Sequence, residues 1–498
     1  MLRSKKLCAV AAAAAIALCG CSSSDSSKAG KETTASAAAE TSSATASSAP
    51  ETKPPAGTET APPPETTEAV TEEPPEENPV VIVEDKLKML ADSLPDRELD
   101  NKDVLVFSKA DRSEENKQAL ELFKEKYGGS VSWKTASESD CFGELTALVL
   151  AGDPPDLFPI EDADAFPKGA YLRVFSGVDE LLAESFGLDR ADDTLSELTA
   201  YADRRCGIVT DALPQGLLVY NKDTIVDLGL DDPYELFLSG SWTRDNFSEM
   251  CRAFKDSGRS YAVGGDMLAT LLSSTGGVPL ISSESGMMIS NIDDKDLAAA
   301  QEWMYSFGQK GYCIPAAEEA LLSGDALKNG ELLFLAVPTD ILCSEAVKGF
   351  GDAEGGRVMF VPQPSADSSG SIRFAAQLRG YYFCTGAKNP EGATAFASCS
   401  KAAAELVFED SLNALRDQGW AEKMISTFSV MHGQAGQSPV VDLSKGLPST
   451  SAEKIYETVS VSLPLNGPAV RWEDTVGQVR KQLDYAVRTA NDPEPVGP

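Results

Sequence analysis

Histidine is the scarcest informative side chain in this 498-residue sequence: there is one, His432. That excludes an HExxH zinc site and any repeated histidine ligation, and a Ser-His-Asp triad would have to use this single imidazole. No GxSxG nucleophile elbow and no Walker P-loop occurs. CxxC spacing is absent too, and the seven cysteines after the N-terminal region (Cys141, Cys206, Cys251, Cys313, Cys343, Cys384 and Cys399) are odd in number and widely scattered. Neither a disulfide framework nor a zinc site is indicated, so they read as buried thiols. Basic residues are few: 43 Lys and Arg stand against 77 Asp and Glu, for a net charge of -34. Such acidity argues against nucleic acid or anionic lipid as a charge partner. A histidine-free hydrolase with paired carboxylates also stays open, because so acidic a chain always offers some pair.

The first residues are of a different kind. Arg3, Lys5 and Lys6 precede an uncharged run from Leu7 to Leu18, too short for the ~20 residues that span a bilayer and suited to a signal-peptide core over residues 1–20. Leu18-Cys19-Gly20-Cys21 follows. It resembles the bacterial lipobox, which implies cleavage before Cys21 and lipidation of that residue. An ordinary secretory signal with chance cysteines is the alternative. Loss of the three basic residues would take the net charge from -34 to -37. From Ser22 to about Asn78 the chain is Ser, Thr, Ala, Pro and Glu with almost no large apolar side chains. Such a segment cannot offset its ordering entropy, so a disordered tether is expected, here counted over 21–95. A glycosylated stalk would extend equally far.

The remaining residues, about 96–498, exceed what one core usually holds, and two lobes are expected. Asp103 to Phe107 reads as a strand. Ser113 then caps a helix with Ala119, Leu122, Phe123 and Tyr127 at helical spacing, ended by Gly128-Gly129. Ser130 to Trp133 is a second strand, Phe142 to Leu150 a second helix, and Asp156 to Phe158 a third strand. The alternation predicts a parallel sheet with helices on its faces. Val430 to Gln434, around the histidine, reads as a turn.

Several ordered segments resemble one family. Ala151-Gly152-Asp153-Pro154-Pro155-Asp156, Leu218-Val219-Tyr220-Asn221-Lys222-Asp223, Gly240-Ser241-Trp242-Thr243 through Phe247, Lys328-Asn329-Gly330 before an apolar strand, Phe360-Val361-Pro362 and Lys388-Asn389-Pro390-Glu391 follow the order found in extracellular solute-binding proteins of ABC importers, in the group that includes sugar and oligosaccharide binders. Each segment also has a plain physical reading. Thr243 and Asn389 are good N-caps, Pro390 suits the first helical position, and Trp242 and Tyr220 carry large apolar area for packing.

The resemblance implies an α/β, two-lobe periplasmic-binding-protein-like fold of type II, with parallel-sheet lobes joined by a hinge. One lobe would hold about 100–217 and 380–435, the other 220–376 and 440–490, with crossings near Leu218 to Asn221 and Arg379 to Tyr382. Ligands then sit beyond the carboxyl ends of the strands. Positions there nominate Lys109, Asp111, Glu161, Asp162, Gln215, Asp266, Thr339, Asp340 and one of Tyr381 and Tyr382, since strand neighbours point oppositely. Carboxylates, amides and aromatic faces together suit a mono- or oligosaccharide.

The function so implied is capture by hinge closure and delivery to ABC permease subunits. The protein would be a monomer on the extracellular face of a Gram-positive cell, moored in the membrane through Cys21, with no catalytic residues, no cofactor and no metal. A sensor or glycan-binding lipoprotein uncoupled from transport is the alternative.

Overall fold

The computed structural model describes residues 79–137, 140–162, 164–186, 193–315, 324–339, 357–368, 372–460 and 470–492. Cys21, the linker to Asn78, Asp340 and Cys343 lie outside the described residues. Ten strands form two sheets: β1 Asp103–Ser108, β2 Ser130–Thr135, β3 Leu157–Pro159, β4 Gly207–Pro214, β5 Gly216–Asn221, β6 Val263–Gly264, β7 Phe334–Pro338, β8 Val358–Val361, β9 Phe374–Phe383 and β10 Pro439–Val440. The first sheet runs β10-β9-β3-β1-β2, with β4 on the other edge of β9. The second runs β8-β5-β7-β6. As expected, β1, β2 and β3 are parallel. The sheets as wholes are mixed, however, because β9 returns antiparallel to β3 and β4, and β5 is antiparallel to both β7 and β8.

Strand alternation gives the first sheet two cores. Val106, Leu157 and Tyr381 face a layer with Phe123 and Phe396, whereas their neighbours Phe107, Phe158 and Tyr382 face one with Phe142 and Phe175. The second sheet buries Leu217 to Tyr220 and Phe334 against Trp242, Phe247 and Phe254. Trp242 is fully enclosed and donates from Nε1 to the Pro362 carbonyl (2.8 Å). The Tyr220 hydroxyl donates to Asp232. Both are packing residues of this sheet.

Local capping chemistry explains other segments. Asn389 accepts from the Gly392 N–H (3.0 Å) at the start of helix Pro390–Ala402 and donates to the Asp103 carbonyl (2.9 Å). Asp156 accepts from the Leu105 N–H (2.9 Å) and the Asn389 N–H (3.2 Å). One carboxylate thereby ties β1, β3 and that helix together. Thr243 caps helix Arg244–Asp256 through the Asn246 N–H (3.4 Å).

Several expectations are corrected. The helix expected to start after Ser113 is Lys117–Tyr127, since Asp111 takes the Ser113 N–H (2.9 Å) into a turn first. Residues 79–93, counted in the tether, form helix Pro79–Ser93, because Leu87 and Ala91 join the Phe123 core. His432 lies within helix Glu422–Gln437 rather than in a turn. Buried Met424, Ile425, Phe428, Met431 and Ala435 override the helix cost of Gly433 and Gly436.

The chain passes from the first sheet to the second at Gln215, between β4 and β5, and returns at the start of β9, where Phe374 and Ala375 still belong to the second core. Leu218 to Asn221 and Arg379 to Tyr382 lie wholly inside β5 and β9. Phe408, Leu415, Phe428 and Met431 join the second core, whereas Leu406 joins the Phe123 core. Buried side chains after Val440, including Leu443, Ile455, Trp472 and Leu483, join the Phe107 and Phe158 layer. The six described cysteines after the N-terminal region are free and buried, and burial pushes the Cys141 thiol up to about 11 and Cys206 to about 12.

Arg205 is 1% exposed and bridges Asp179 (2.7 Å) and buried Asp193 (3.4 Å), to which Lys401 also bonds (2.7 Å). Arg205→Ala removes the partner of Asp179 and one of the two cations on buried Asp193, which keeps Lys401, and should cost about 3 kcal/mol by urea denaturation, the low end for a broken buried pair; a loss under about 1 kcal/mol would contradict the pairing, being no more than an exposed pair contributes. Burial raises the Asp156 pKa, opposed by its two backbone bonds. Its folded value lies above the unfolded one, so the contribution is fully present below the unfolded pKa of about 4 and is lost as pH rises through the folded value. The stability advantage of wild type over Asp156→Asn should therefore be larger at about pH 4.5 than at about pH 7. A pH-independent difference would contradict it.

Candidate functional site

The crossing strip is held by backbone bonds. The Gln215 N–H donates to the Ala375 carbonyl (2.7 Å), and the Thr339 N–H donates to the Gln215 carbonyl (3.3 Å). The Thr339 hydroxyl donates to the Pro214 carbonyl. Three chain segments from two sheets thus meet at one point. Beside it lies a cavity of about 180 Å³ lined from both sides. Ile160, Glu161 and Asp162, just past the end of β3, form one wall with Leu378 and Tyr382 of β9. The opposite wall carries Thr270 and Ser273 of helix Leu268–Ser273 and Leu297, Gln301 and Met304 of helix Lys295–Gln309. A rim comes from Val440 to Leu443, Lys445 and Tyr456.

The nominated residues divide accordingly. Glu161, Asp162, Gln215 and Tyr382 line this cavity. Lys109 is exposed and reaches only its edge, as an ion pair with Asp162 (3.2 Å). Asp111 and Asp266 are exposed away from it, and Thr339 belongs to the crossing rather than to the lining. The neighbouring tyrosines do point oppositely. Tyr382 lies parallel to the rings of Phe175 (4.4 Å between centroids) and Phe166 (5.8 Å). Tyr381 faces a smaller space of about 30 Å³, and its hydroxyl donates to Asn116 (3.4 Å).

Charge in the cavity is largely compensated. Glu161 Oε1 accepts from Arg112 (2.5 Å), whereas its Oε2 is buried without a hydrogen-bond partner. Asp442 accepts from the N–H groups of Ser444 (3.0 Å) and Ile281 (3.2 Å), yet burial still raises its pKa. Lys445 holds its ammonium over the Tyr456 ring (4.2 Å). Gln301 is 1% exposed, and its Oε1 has no partner. Gln301, Asp442 and Lys445 were missed in the sequence. Gln301 did carry a signal: an amide on the helix face that buries Leu297, Ala300, Met304 and Phe307. Asp442, in irregular chain, and Lys445, in the short 3-10 helix Ser444–Gly446, are brought here only by the tertiary fold. Among the described residues no cluster suited to a metal ion occurs. What the arrangement offers is a concave, largely aliphatic space with polar side chains in its lining, between the first sheet and helices Leu268–Ser273 and Lys295–Gln309.

The profile of the family described as bacterial extracellular solute-binding protein matches residues 118–405. Curated proteins yield no match. Solved structures do. The sugar-binding protein MalE of Xanthomonas citri superposes with a TM-score of 0.57 at 14% identity, covering 78% of this chain and 98% of that one. The cyclic alpha-maltosyl-1,6-maltose binding protein of Arthrobacter globiformis gives 0.57 at 11%, covering 78% and 100%. The galacto-N-biose/lacto-N-biose I-binding protein of Bifidobacterium longum gives 0.54 at 14%, covering 78% and 98%. The fold is therefore that of the type II, two-sheet sugar-binding structures, and the chain belongs to the bacterial extracellular solute-binding protein family, a family of binding proteins rather than enzymes.

Proposed function

We propose that this protein captures a saccharide in the cavity at the chain crossings, closes about the hinge, and presents the loaded form to the permease of an ABC importer. The observation that carries the reading is the cavity itself, because its walls come from the first sheet and from helices Leu268–Ser273 and Lys295–Gln309, and the chain passes between the sheets beside it at Gln215 and at the start of β9. A ligand touching both walls favours the closed arrangement by its differential contacts with the two states. Sugar binding in structural relatives from three genera supports the chemical class. Glu161, Asp162, Gln215 and Tyr382 are the nominated residues placed to contact it. Lipid attachment at Cys21, a monomeric state, and a position on the outer face of a Gram-positive membrane complete the proposal. Two acyl chains hold a protein stably where one does not.

Thermal-shift screening of the full chain against sugars, amino acids, peptides and polyamines should give its largest stabilisation with a sugar, and small-angle scattering with that sugar should show a smaller radius of gyration. Stabilisation by a peptide or polyamine alone would sink the carbohydrate assignment, and hydrolysis of the bound sugar would sink the non-enzymatic one.

The anchor has its own test. In a Gram-positive host fed a labelled fatty acid, the wild-type chain should incorporate label and sediment with membranes, whereas Cys21→Ala should be unlabelled and appear in the medium. Equal membrane retention of both would remove the lipid anchor from the account.

A further inference from the structure

We propose that two hairpin tips, Ala202-Asp203 and Ser285-Gly286, form a latch that holds the two halves of the protein together beside the cavity and sets how slowly a captured ligand leaves; this rests on the capture reading above. The tips belong to different halves. Hairpin 200–205 runs straight into β4 of the first sheet, and at its base the Phe383 N–H of β9 donates to the Cys206 carbonyl (3.0 Å). Hairpin 281–290 stands between helices Leu268–Ser273 and Lys295–Gln309, whose Leu271, Leu272, Met304 and Phe307 belong to the second core. Each hairpin leaves the cavity wall within two residues, one from Leu198 and the other from Leu280.

Across the seam the Ala202 N–H donates to the Gly286 carbonyl (3.0 Å), and the Ser283 hydroxyl reaches the Ala200 carbonyl (3.5 Å). The Tyr201 hydroxyl donates to the Ala490 carbonyl, on helix Trp472–Asn491. That helix is fastened to the second hairpin, because the Asn491 side chain accepts from the Met288 N–H and donates to the Met288 carbonyl (2.8 Å each). Tyr201, Ile281, Met288 and Ala490 share one buried cluster, so the seam is sealed by apolar contact as well as bonded. None of the seam bonds belongs to the ladder of either hairpin. The tips can therefore part with both hairpins intact.

The turns are shaped for this contact. Ala202 (φ 47°), Asp203 (64°), Ser285 (50°) and Gly286 (77°) all take the left-handed conformation. Two-residue hairpin turns of this kind favour Asn or Asp before Gly, so Ala202 and Ser285 are costly choices for the turns by themselves. Backbone strain of this sort persists where the surroundings over-determine it. Gly286 is the position where the approach itself demands glycine: a Cβ there would lie 2.7 Å from the Asp203 nitrogen and 2.9 Å from the Ala202 nitrogen. Opening at the hinge must break the tip bonds and wet the cluster beneath them, whereas entry into the open form meets no such barrier. The latch thus acts on release rather than on association.

Stopped-flow fluorescence of the full chain tests this, with the tightest binder among glucose, galactose, maltose, lacto-N-biose and maltotetraose as the probe. Tyr201→Phe and Gly286→Ala should each release that sugar about threefold to tenfold faster, the change expected for one lost bond, and alter association by less than about twofold. Hydrogen exchange reads the latch without a ligand. In the empty wild-type chain the Ala202 amide should exchange about fivefold or more slower than in Gly286→Ala, and the sugar should slow it further. Tyr201→Phe keeps the ring and both turns, so it carries the kinetic test should Gly286→Ala disturb its own hairpin. Unchanged release in Tyr201→Phe, an effect on association alone, or a lowered melting temperature with unchanged release would overturn the latch and leave the saccharide reading standing. If no sugar binds, the saccharide reading falls, and equal Ala202 exchange in the two empty chains would overturn the latch separately.

Discussion

The hydrogen bond from the Gln215 N–H to the Ala375 carbonyl, with the return bond from Thr339 to Gln215, is the constraint on which the rest depends. It fastens the two passages between sheets side by side, so the β3 end and helices Leu268–Ser273 and Lys295–Gln309 face one space. Because these are backbone bonds, side-chain identity at 215 and 375 is left free for the cavity. Close beside the strip, β9 carries a register shift between Arg379 and Gly380 opposite β4. Gly380 has φ of 143°, and a Cβ there would lie 2.0 Å from the Ile208 carbonyl oxygen. Only glycine permits this approach of β9 to β4.

The cavity combines two environments that sequence composition alone would not put together. The chain is strongly acidic, yet the carboxylates that reach the space are neutralised or tied: Asp162 by Lys109, Glu161 by Arg112, Asp442 by two backbone N–H groups. The acidic excess is therefore carried largely elsewhere on the protein. What lines the cavity is a small number of compensated carboxylates and amides on an aliphatic ground.

Much of the fold was legible because its signals are local. The β1, β2 and β3 strands, Gly128 in the left-handed conformation ending helix Lys117–Tyr127, the Thr243 and Asn389 caps and the packing roles of Trp242 and Tyr220 each follow from short-range rules. The tyrosine pair was legible as alternation, and the structure supplies the direction, Tyr382 toward the larger cavity. The misreadings share a cause. Helix Glu422–Gln437 carries glycines that local propensity counts against it, and helix Pro79–Ser93 lies beyond a low-complexity run; both exist because distant cores bury their apolar faces. The crossing points were displaced by several residues because a buried strand looks the same on either side of a hinge. Strand ends point to Glu161 and Asp162, which line the cavity; Gln301 shows only as an amide on a buried helix face, and Asp442 reaches the cavity through tertiary packing alone.

The most direct measurement of the central claim is a crystal structure of the protein with its bound sugar. The account predicts the ligand in the cavity beside Gln215, with helix Leu268–Ser273 closer to Ile160 through Asp162 than in the unliganded protein. A sugar bound on another surface, or in the cavity without any approach of the two walls, would contradict it.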